Sequence, residues 1–364
     1  MRSTRIAIFV TMLILIAIGI VMIYSASSIP MWQRTGESAG LLKKQLFFVA
    51  LGFFAMFVSM AIDYQKLSRY AKPLLVVAVC PLIVLFVPGI SREVGGAKRW
   101  LHVLGFNFQP SEFVKIALVI YMADFINRKS GVLRDFWRGF APPMAVLGAV
   151  TLLVLMQPDL GTAISFVVLV FVMLFVFGVR LSHLLLSILA SLPLLYLLVF
   201  SVPYRRARIL SFLNPWLDPK GTGFQIIQSQ IALGSGGFWG VGLGQGKQKL
   251  FYLPAAHTDF IFSIIGEELG FLGTSFVILL FIFFIWKMAQ VVHRVSDPFG
   301  KLICLGVLTL IAFSAAVNIG VSIGALPTKG LPLPFISYGG SSLIFHMMAV
   351  GLLLNVSKTE EAAL

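Results

Sequence analysis

The chain has 364 residues, of which 59% are hydrophobic and 12% are charged, with a formal net charge of +14. A soluble domain carries about a quarter charged residues, so this composition excludes an ordinary globular domain and indicates a membrane protein. The positive charge suits anionic lipid and a polyanionic head group. No nucleic-acid-binding module accompanies it, and we expect no nucleic-acid partner. Cys80 and Cys304 fall in apolar runs and imply neither a disulfide framework nor a metal motif.

Ten apolar runs follow one another along the chain, and most approach the ~20 residues needed to cross a bilayer. They lie at residues 6–24, 45–62, 72–87, 110–126, 140–156, 160–178, 181–202, 260–286, 302–326 and 341–356. The first run exceeds the core of a usual signal peptide, so we expect it to be retained. The sequence therefore predicts an all-α polytopic membrane protein with ten transmembrane helices, forming a single membrane domain over residues 1–364.

The longest connection, residues 203–258, separates predicted spans seven and eight. It is polar and rich in glycine, with seven glycines between Gly234 and Gly246, and most of it cannot lie in hydrocarbon because its backbone groups would be unsatisfied. Within residues 224–233, the apolar residues Phe224, Ile227, Ile231 and Ala232 lie close to helical spacing, which predicts a short amphipathic helix along the membrane surface. When the cations of this connection are set aside, the Lys and Arg bias places both termini in the cytoplasm. The connection is then a large extracytoplasmic loop.

Asp259 directly precedes the eighth run, in the sequence His-Thr-Asp-Phe. The structural interpretation is a helix N-cap, for which Asp is a preferred residue. The functional interpretation is a general base at the boundary between water and lipid, where partial desolvation raises the pKa of a carboxyl group toward a useful value. One residue can serve both roles.

Other ionisable residues carry the same ambiguity. Asp159 lies in the short link between spans five and six, where a helix cap is the economical explanation. Glu267 and Glu268 lie about two turns into span eight, where acids usually face a cavity or a partner; an interfacial pair is the alternative. Glu112 and Lys115 open span four as an ordinary i,i+3 pair, and Lys115 either extends to the outer surface or points at a phosphate.

Several motifs, taken in order, resemble the SEDS family (shape, elongation, division and sporulation), the FtsW/RodA-type proteins of bacterial cell-wall synthesis. The motifs are the sequences at 96–100 (GAKRW), 109–112 (QPSE), 157–162 (QPDLGT), 257–262 (HTDFIF) and 332–342 (PLPFISYGGSS). Residues 214–216 and 242–249 look more like the FtsW division branch, or its sporulation relatives, than RodA. Ala255 stands where such proteins often carry Glu, which puts an accessory carboxylate there in doubt.

The resemblance implies a peptidoglycan glycosyltransferase that polymerises lipid II outside the cytoplasmic membrane, at the division septum. Asp259 is then the expected catalytic base. The expected substrate-binding residues, several of them cations suited to a diphosphate, are Arg99, Lys115, Glu112, Gln157, Arg205, Arg206, Arg208 and Lys329. A divalent cation, Mg²⁺ or Mn²⁺, is a further expectation, with Asp159 as the residue that helps to hold it. No paired carboxylates at a recognisable spacing support a double-displacement scheme.

The resemblance also implies partners: lipid II, an undecaprenyl-diphosphate-linked glycan, a class B penicillin-binding protein that acts as transpeptidase, and other membrane proteins of the division complex. Two alternatives stay open. A lipid II flippase fits the buried ionisable residues, but it explains Asp259 and the large loop less well, because transport sites tend to lie near the bilayer midplane. A non-catalytic activator of a penicillin-binding protein is the other.

Overall fold

A computed structural model describes residues 1–88, 91–94, 97–103, 106–201, 203–250, 252–328 and 330–363. Over these residues the chain forms twelve α-helices and three short strands. The helices are α1 (Arg2–Thr35), α2 (Gly40–Ala61), α3 (Tyr64–Val84), α4 (Pro110–Arg128), α5 (Ala141–Met156), α6 (Leu160–Val176), α7 (Leu181–Phe200), α8 (Pro203–Leu213), α9 (Phe224–Ser235), α10 (Ile261–Arg294), α11 (Pro298–Ser322) and α12 (Gly340–Ala363).

The bundle has two distinct ends, which side-chain contacts define. At the terminal end, Arg5 pairs with Glu361 and the Ser357 hydroxyl contacts Met1, so both chain termini lie together. At the opposite end, which we call the cavity end, the start of α12 meets the last strand, where the Gln109 amide donates to the Ser341 hydroxyl. Both termini lying at one end agrees with an even number of membrane crossings.

Within the described residues, seven helices are long and apolar enough to cross a membrane, and two shorter apolar helices cover residues Leu160–Val176 and Leu181–Leu197. Helix α4 lies in the middle of the bundle, buried along nearly its whole length against α3, α6 and α11. Its buried charges, discussed below, lower its hydropathy without exposing it to lipid. The helical membrane architecture predicted from the sequence is confirmed, and the exact number of ten spans stays a prediction.

A small antiparallel sheet at the cavity end is absent from the sequence-based prediction. Strands β1 (Ser91–Val94), β2 (Ala97–Val103) and β3 (Phe106–Phe108) pair in the order β1-β2-β3. A sheet of this size is marginal by itself, but β2 contacts α4 and β3 contacts α12, which hold it to the bundle. The sheet carries Arg99 and Trp100 into the cavity described below.

The predicted helix over residues 224–233 is confirmed as α9, although its buried face differs from the predicted one. Ile227 and Ala232 are buried as expected, whereas Ile231 is exposed. The hydroxyl of Ser229 lies 2.6 Å from that of Ser263 on α10 and donates to the Ser322 carbonyl at the end of α11 at 2.7 Å. Helix α9 is therefore fixed to two helices of the bundle by buried polar contacts as well as by apolar ones.

Helix α10 is interrupted at Gly270, whose backbone is non-helical with φ 68° and ψ −161°. The groups freed there bind the Gly-rich segment, residues 236–246: the amide of Phe271 donates to the Gly237 carbonyl at 2.9 Å. Close approach requires glycine, since a Cβ atom on Gly240 would lie 2.1 Å from the Glu268 carbonyl oxygen. The break in α10 and the glycines of the loop thus form one structural unit.

Candidate active site

A cavity of about 420 Å³ opens at the cavity end of the bundle. Residues from the sheet, from α2, from the turn before α10 and from the start of α12 surround it. Its polar lining includes Lys44, Arg99, Asn107, Gln109, Asp259 and Tyr338. Among the described lining residues Asp259 is the only acid, so the cavity places one carboxylate among basic and neutral polar groups.

Asp259 lies in a tight turn that the backbone holds. The Ala255 carbonyl accepts hydrogen bonds from the amides of Thr258 and Asp259 at 3.0 and 3.1 Å. Ala255 has a positive φ of 57°, a conformation that is uncommon for residues other than glycine. A carbonyl that accepts both amides fixes the direction in which the Asp259 carboxylate leaves the chain.

Two further side chains secure this turn. The Asn318 amide donates to the carbonyls of Asp259 and Leu331 at 2.9 and 2.8 Å, and the Ser337 hydroxyl donates to the Thr258 carbonyl at 2.6 Å. Neither residue was among the site residues predicted from the sequence, although Ser337 lies in the motif at 332–342. A buried amide in the otherwise apolar run of α11 was the available signal, because polar groups in a span usually have a specific partner.

The helix-cap interpretation of Asp259 is wrong, because Phe260 occupies the N-cap position of α10 and no side chain caps that helix. The carboxylate is instead free to face the cavity. Burial raises the pKa of Asp259 to about 6, and the positive charges of Arg208 and Arg99 counteract part of that effect. The group is therefore mostly ionised at neutral pH while remaining basic enough to accept a proton.

Arg99 is held by the turn between α5 and α6. Its Nε donates to the Gln157 carbonyl at 3.3 Å, its Nη2 donates to the Pro158 carbonyl, and its Nη1 lies 3.7 Å from Oδ1 of Asp159. Asp159 also caps α6, accepting the Thr162 amide at 3.2 Å and the Thr162 hydroxyl at 2.9 Å. The predicted helix cap at Asp159 is confirmed, and the same carboxylate orients Arg99.

The remaining predicted cations occupy different positions. Arg208, on α8, is half-buried and donates to the Thr328 carbonyl at 3.1 Å, and its charge acts on Asp259. Arg205 donates to the Leu155 carbonyl at 3.5 Å, and Arg206 is exposed. Lys329 lies outside the described residues. Among Arg205, Arg206 and Arg208, Arg208 is the residue whose charge acts on the Asp259 carboxylate.

Gln157 contributes to this region through its backbone rather than its side chain. Its side-chain amide donates to the Leu82 carbonyl on α3 at 3.0 Å and is buried there. Its own carbonyl accepts the bond from Arg99. Gln157 therefore supports the wall that holds Arg99, and its side chain is not among the groups that line the cavity.

Glu112 and Lys115 form a buried ion pair at 2.7 Å, with side chains only 3% and 4% exposed. Lys115 therefore does not extend to the outer surface, and that alternative is wrong. Neither residue is among those lining the cavity. The predicted i,i+3 contact is confirmed, and removing either partner would leave the other as an uncompensated buried charge.

Glu267 and Glu268 face the Gly-rich segment rather than lipid, so the interfacial alternative is wrong. Glu268 pairs with Lys249 at 2.6 Å and accepts the Ser25 hydroxyl at 2.7 Å. Glu267 accepts the Lys247 amide, also at 2.7 Å. The two acids therefore join α1, α10 and the loop that precedes the turn holding Asp259.

The described residues contain no group of three or more His, Cys, Asp or Glu side chains placed to hold a metal ion. Asp159, the predicted candidate, uses its oxygens to cap α6 and lies beside the Arg99 guanidinium. A carboxylate committed in this way does not fit a protein-built cation site.

Comparison with known proteins defines the class to which this chain belongs. Residues 5–362 match the cell cycle protein family of FtsW, RodA and SpoVE, and the chain is a member of that family. It is 48% identical over 339 residues to the probable peptidoglycan glycosyltransferase FtsW of Geobacter metallireducens, covering 93% of this chain and 90% of that protein. It is 42% identical to stage V sporulation protein E of Bacillus subtilis, covering 98% and 97% of the two chains.

Solved structures agree with this assignment. A chain from a peptidoglycan synthase complex, solved to describe how polymerization and crosslinking are coordinated, superposes with a TM-score of 0.81 at 32% identity and covers 97% of both chains. The rod shape determining protein RodA of Thermus thermophilus superposes with a TM-score of 0.70 at 27% identity, covering 97% of this chain and 96% of RodA. The chain is therefore an integral membrane protein with the fold of this family.

Proposed function

We propose that this protein is a peptidoglycan glycosyltransferase that polymerises lipid II into glycan strands, for septal wall synthesis during cell division. The observation that carries the proposal is Asp259, a partly desolvated carboxylate with a pKa of about 6, at a cavity whose other described charged residues are cations. The names of the FtsW relatives support the same reaction and favour a division role.

The reaction requires a base and a stabilised leaving group. The acceptor sugar hydroxyl attacks the anomeric carbon of the donor, and its proton passes to the Asp259 carboxylate as the new C–O bond forms. The bond between the anomeric carbon and the diphosphate oxygen breaks, and its electron pair leaves with the lipid diphosphate. Fixed positive charges in the cavity, including Arg99, stabilise the charge that develops on that oxygen.

The residues around Asp259 have different roles in this mechanism. Arg208 and Arg99 keep the Asp259 carboxylate ionised, since their charges lower its pKa against the effect of burial. Substrate contacts from Arg205, Arg206 and Lys329 stay predictions. Roles for Gln157, Glu112 and Lys115 in holding substrate also stay predictions. Their side chains lie outside the cavity lining, so we expect them to support its walls.

A divalent cation stays a prediction, and no step of this mechanism depends on one, because the donor set around Asp159 does not fit it. The proposed partners are lipid II, an undecaprenyl-diphosphate-linked glycan, a class B penicillin-binding protein and other membrane proteins of the division complex. Similarity to a chain of a synthase complex that couples polymerization to crosslinking supports the transpeptidase partner. We place both termini in the cytoplasm and the cavity at the outer face of the cytoplasmic membrane, at the division septum.

The test uses the purified full-length protein with and without a class B penicillin-binding protein, supplied with lipid II. We expect glycan strands from the wild type, and a loss of about 10²–10⁴-fold for Asp259→Asn, with partner binding and thermal stability retained. Asn matches Asp in shape but cannot accept a proton at neutral pH. A fully active Asp259→Asn protein would contradict the mechanism.

The same preparations separate the alternatives. A flippase would move lipid II across the bilayer of liposomes without making polymer. A non-catalytic activator would leave the glycan yield unchanged when Asp259 is replaced. Either result, obtained with folded protein, would replace the glycosyltransferase proposal.

A further inference from the structure

Lys44, which was not among the site residues predicted from the sequence, lines the cavity from α2. None of the described acids forms an ion pair with it. Its neighbour Lys43 differs in both respects, because it pairs with Glu37 and is not among the residues that line the cavity. Two adjacent lysines of one helix therefore differ in their surroundings, and only one of them offers an unpaired charge to the cavity.

The wall around Lys44 is built by close packing of α2 on α12. One turn after Lys44, the Phe48 ring lies against the start of α12, where a Cβ atom on Gly340 would be only 2.6 Å from it. Gly339, Gly340 and Ser342 line the same cavity as Lys44. The first turn of a helix carries amide groups without intrahelical partners, and these add to the attraction that Lys44 exerts on an anion.

Arg99 has little remaining capacity for an anion. Its Nε and Nη2 donate to backbone carbonyls, and its Nη1 faces the Asp159 carboxylate. A diphosphate carries charge on two phosphate groups, and one committed guanidinium does not balance both. A second cation without a carboxylate partner is needed to balance the remaining negative charge of the diphosphate.

We propose that Lys44 binds the diphosphate of a lipid-linked saccharide on the α2 wall of the cavity. This inference rests on the proposed function and names a further substrate-binding residue for that reaction. The lysine ammonium supplies a mobile point charge with three donors, which suits phosphate oxygens whose positions change as the leaving group departs.

The experiment measures binding separately from turnover. In an Asp259→Asn background, which removes the proposed base, undecaprenyl diphosphate is titrated into full-length protein carrying either Lys44→Ala or Lys43→Ala. We expect Lys44→Ala to weaken binding by about tenfold, the loss typical of a charge-assisted contact. Lys43→Ala serves as the matched control and should leave Kd within twofold, while Lys44→Arg should restore most of the affinity.

A parallel titration with phosphatidylglycerol distinguishes a diphosphate site from general attraction to anionic lipid. Equal losses for the two lipids, or equal losses for Lys44→Ala and Lys43→Ala, would overturn the proposal. A selective loss for Lys44→Ala supports it even if Asp259→Asn retains polymerase activity. Failure of the proposed mechanism is thereby distinguished from failure of this inference.

Discussion

Asp259 satisfies two opposing requirements. Catalysis needs a carboxylate that is ionised near neutral pH, whereas burial disfavours the charged form. The structure places the group between these limits, because burial raises its pKa from 3.8 to about 6 while Arg208 and Arg99 oppose the rise. The folded state consequently binds this proton more tightly than the unfolded state. The stabilising contribution of the protonated group is present below pH 3.8 and is lost as the pH rises through about 6.

The pH dependence of polymerisation follows from this pKa. Because the base acts in its ionised form, we expect kcat/KM to rise as pH increases through about 6 and to level off above it. The rising limb of this profile should move to higher pH when the Arg208 charge is removed, since that charge lowers the pKa of the Asp259 carboxyl group. The measurement is the pH profile of initial rates for the wild type and for Arg208→Gln.

A matched control for that profile is Lys43→Gln, which removes a cation outside the cavity and should leave the limb in place. Thermal scans at each pH establish that the protein stays folded over the range. A limb near pH 4, the ordinary range of an aspartate, would show that Asp259 is not desolvated during catalysis.

At the scale of the elements, the loop before α10 is organised by the break in that helix. Gly270 interrupts α10, and the Gly-rich segment binds the freed backbone groups. Lys249 and Glu268 form an ion pair in the same unit, with side chains that are only 2% and 0% exposed. Because the chain continues from Lys249 to the turn that holds Asp259, we expect the stability of this pair to affect the position of Asp259.

Removing one member of this pair should therefore be costly. We expect Lys249→Met to lower the free energy of unfolding by about 3–5 kcal/mol, because Glu268 would be left as an uncompensated buried charge. The double variant Lys249→Met/Glu268→Gln should recover part of that loss. Unfolding is followed in detergent for the wild type, both single variants and the double variant.

Lys247→Met is the matched control, because the Lys247 side chain is exposed and only its backbone amide bonds to Glu267. Its effect should lie within about 0.5 kcal/mol. Additive effects of Lys249→Met and Glu268→Gln would show that the two charges do not stabilise each other.

The helices were largely predictable and the sheet was not, for physical reasons. Apolar runs near the length of a bilayer crossing mark spans directly, and Pro110 correctly marks the first residue of α4. Helix α10, at 34 residues, extends well beyond its apolar run because polar residues continue the helix at the terminal end. Strands of three to seven residues give too short a pattern to separate from loop.

The residues of the candidate site were likewise predictable only in part. Asp259 and Arg99 were found because short motifs contain them. Lys44 and Asn318 were missed because their importance comes from tertiary placement: α2 brings Lys44 to the cavity, and α11 brings Asn318 under the turn that holds Asp259. An amide in the apolar run of α11 indicates a buried partner, but local sequence does not show which group that partner is.

At the scale of the whole molecule, the two ends of the bundle differ in structure. The terminal end holds both chain termini and short connections, whereas the cavity end holds the sheet, α8, α9 and the turn that contains Asp259. Orientation in the membrane determines which compartment supplies the substrate, and the distribution of Lys and Arg predicts that the terminal end is cytoplasmic.

Labelling of single cysteines tests this orientation in sealed cells. Lys247→Cys at the cavity end and Lys129→Cys at the terminal end are matched substitutions, since both lysines are exposed. Gly236, also at the cavity end, is not a suitable position for a cysteine, because a Cβ atom there would lie 1.9 Å from the Gly266 carbonyl oxygen. The background carries Cys80→Ser, since Cys80 is exposed and Cys304 is buried.

With an impermeant maleimide added from outside, we expect Lys247→Cys to react and Lys129→Cys to react only after the cells are opened. This pattern follows because the two positions lie at opposite ends of a bundle that the reagent cannot cross. Reaction at Lys129→Cys alone in sealed cells would invert the orientation and would place the cavity in the cytoplasm. The proposed polymerisation of lipid II at the outer face would then be untenable, even though the geometry around Asp259 would be unchanged.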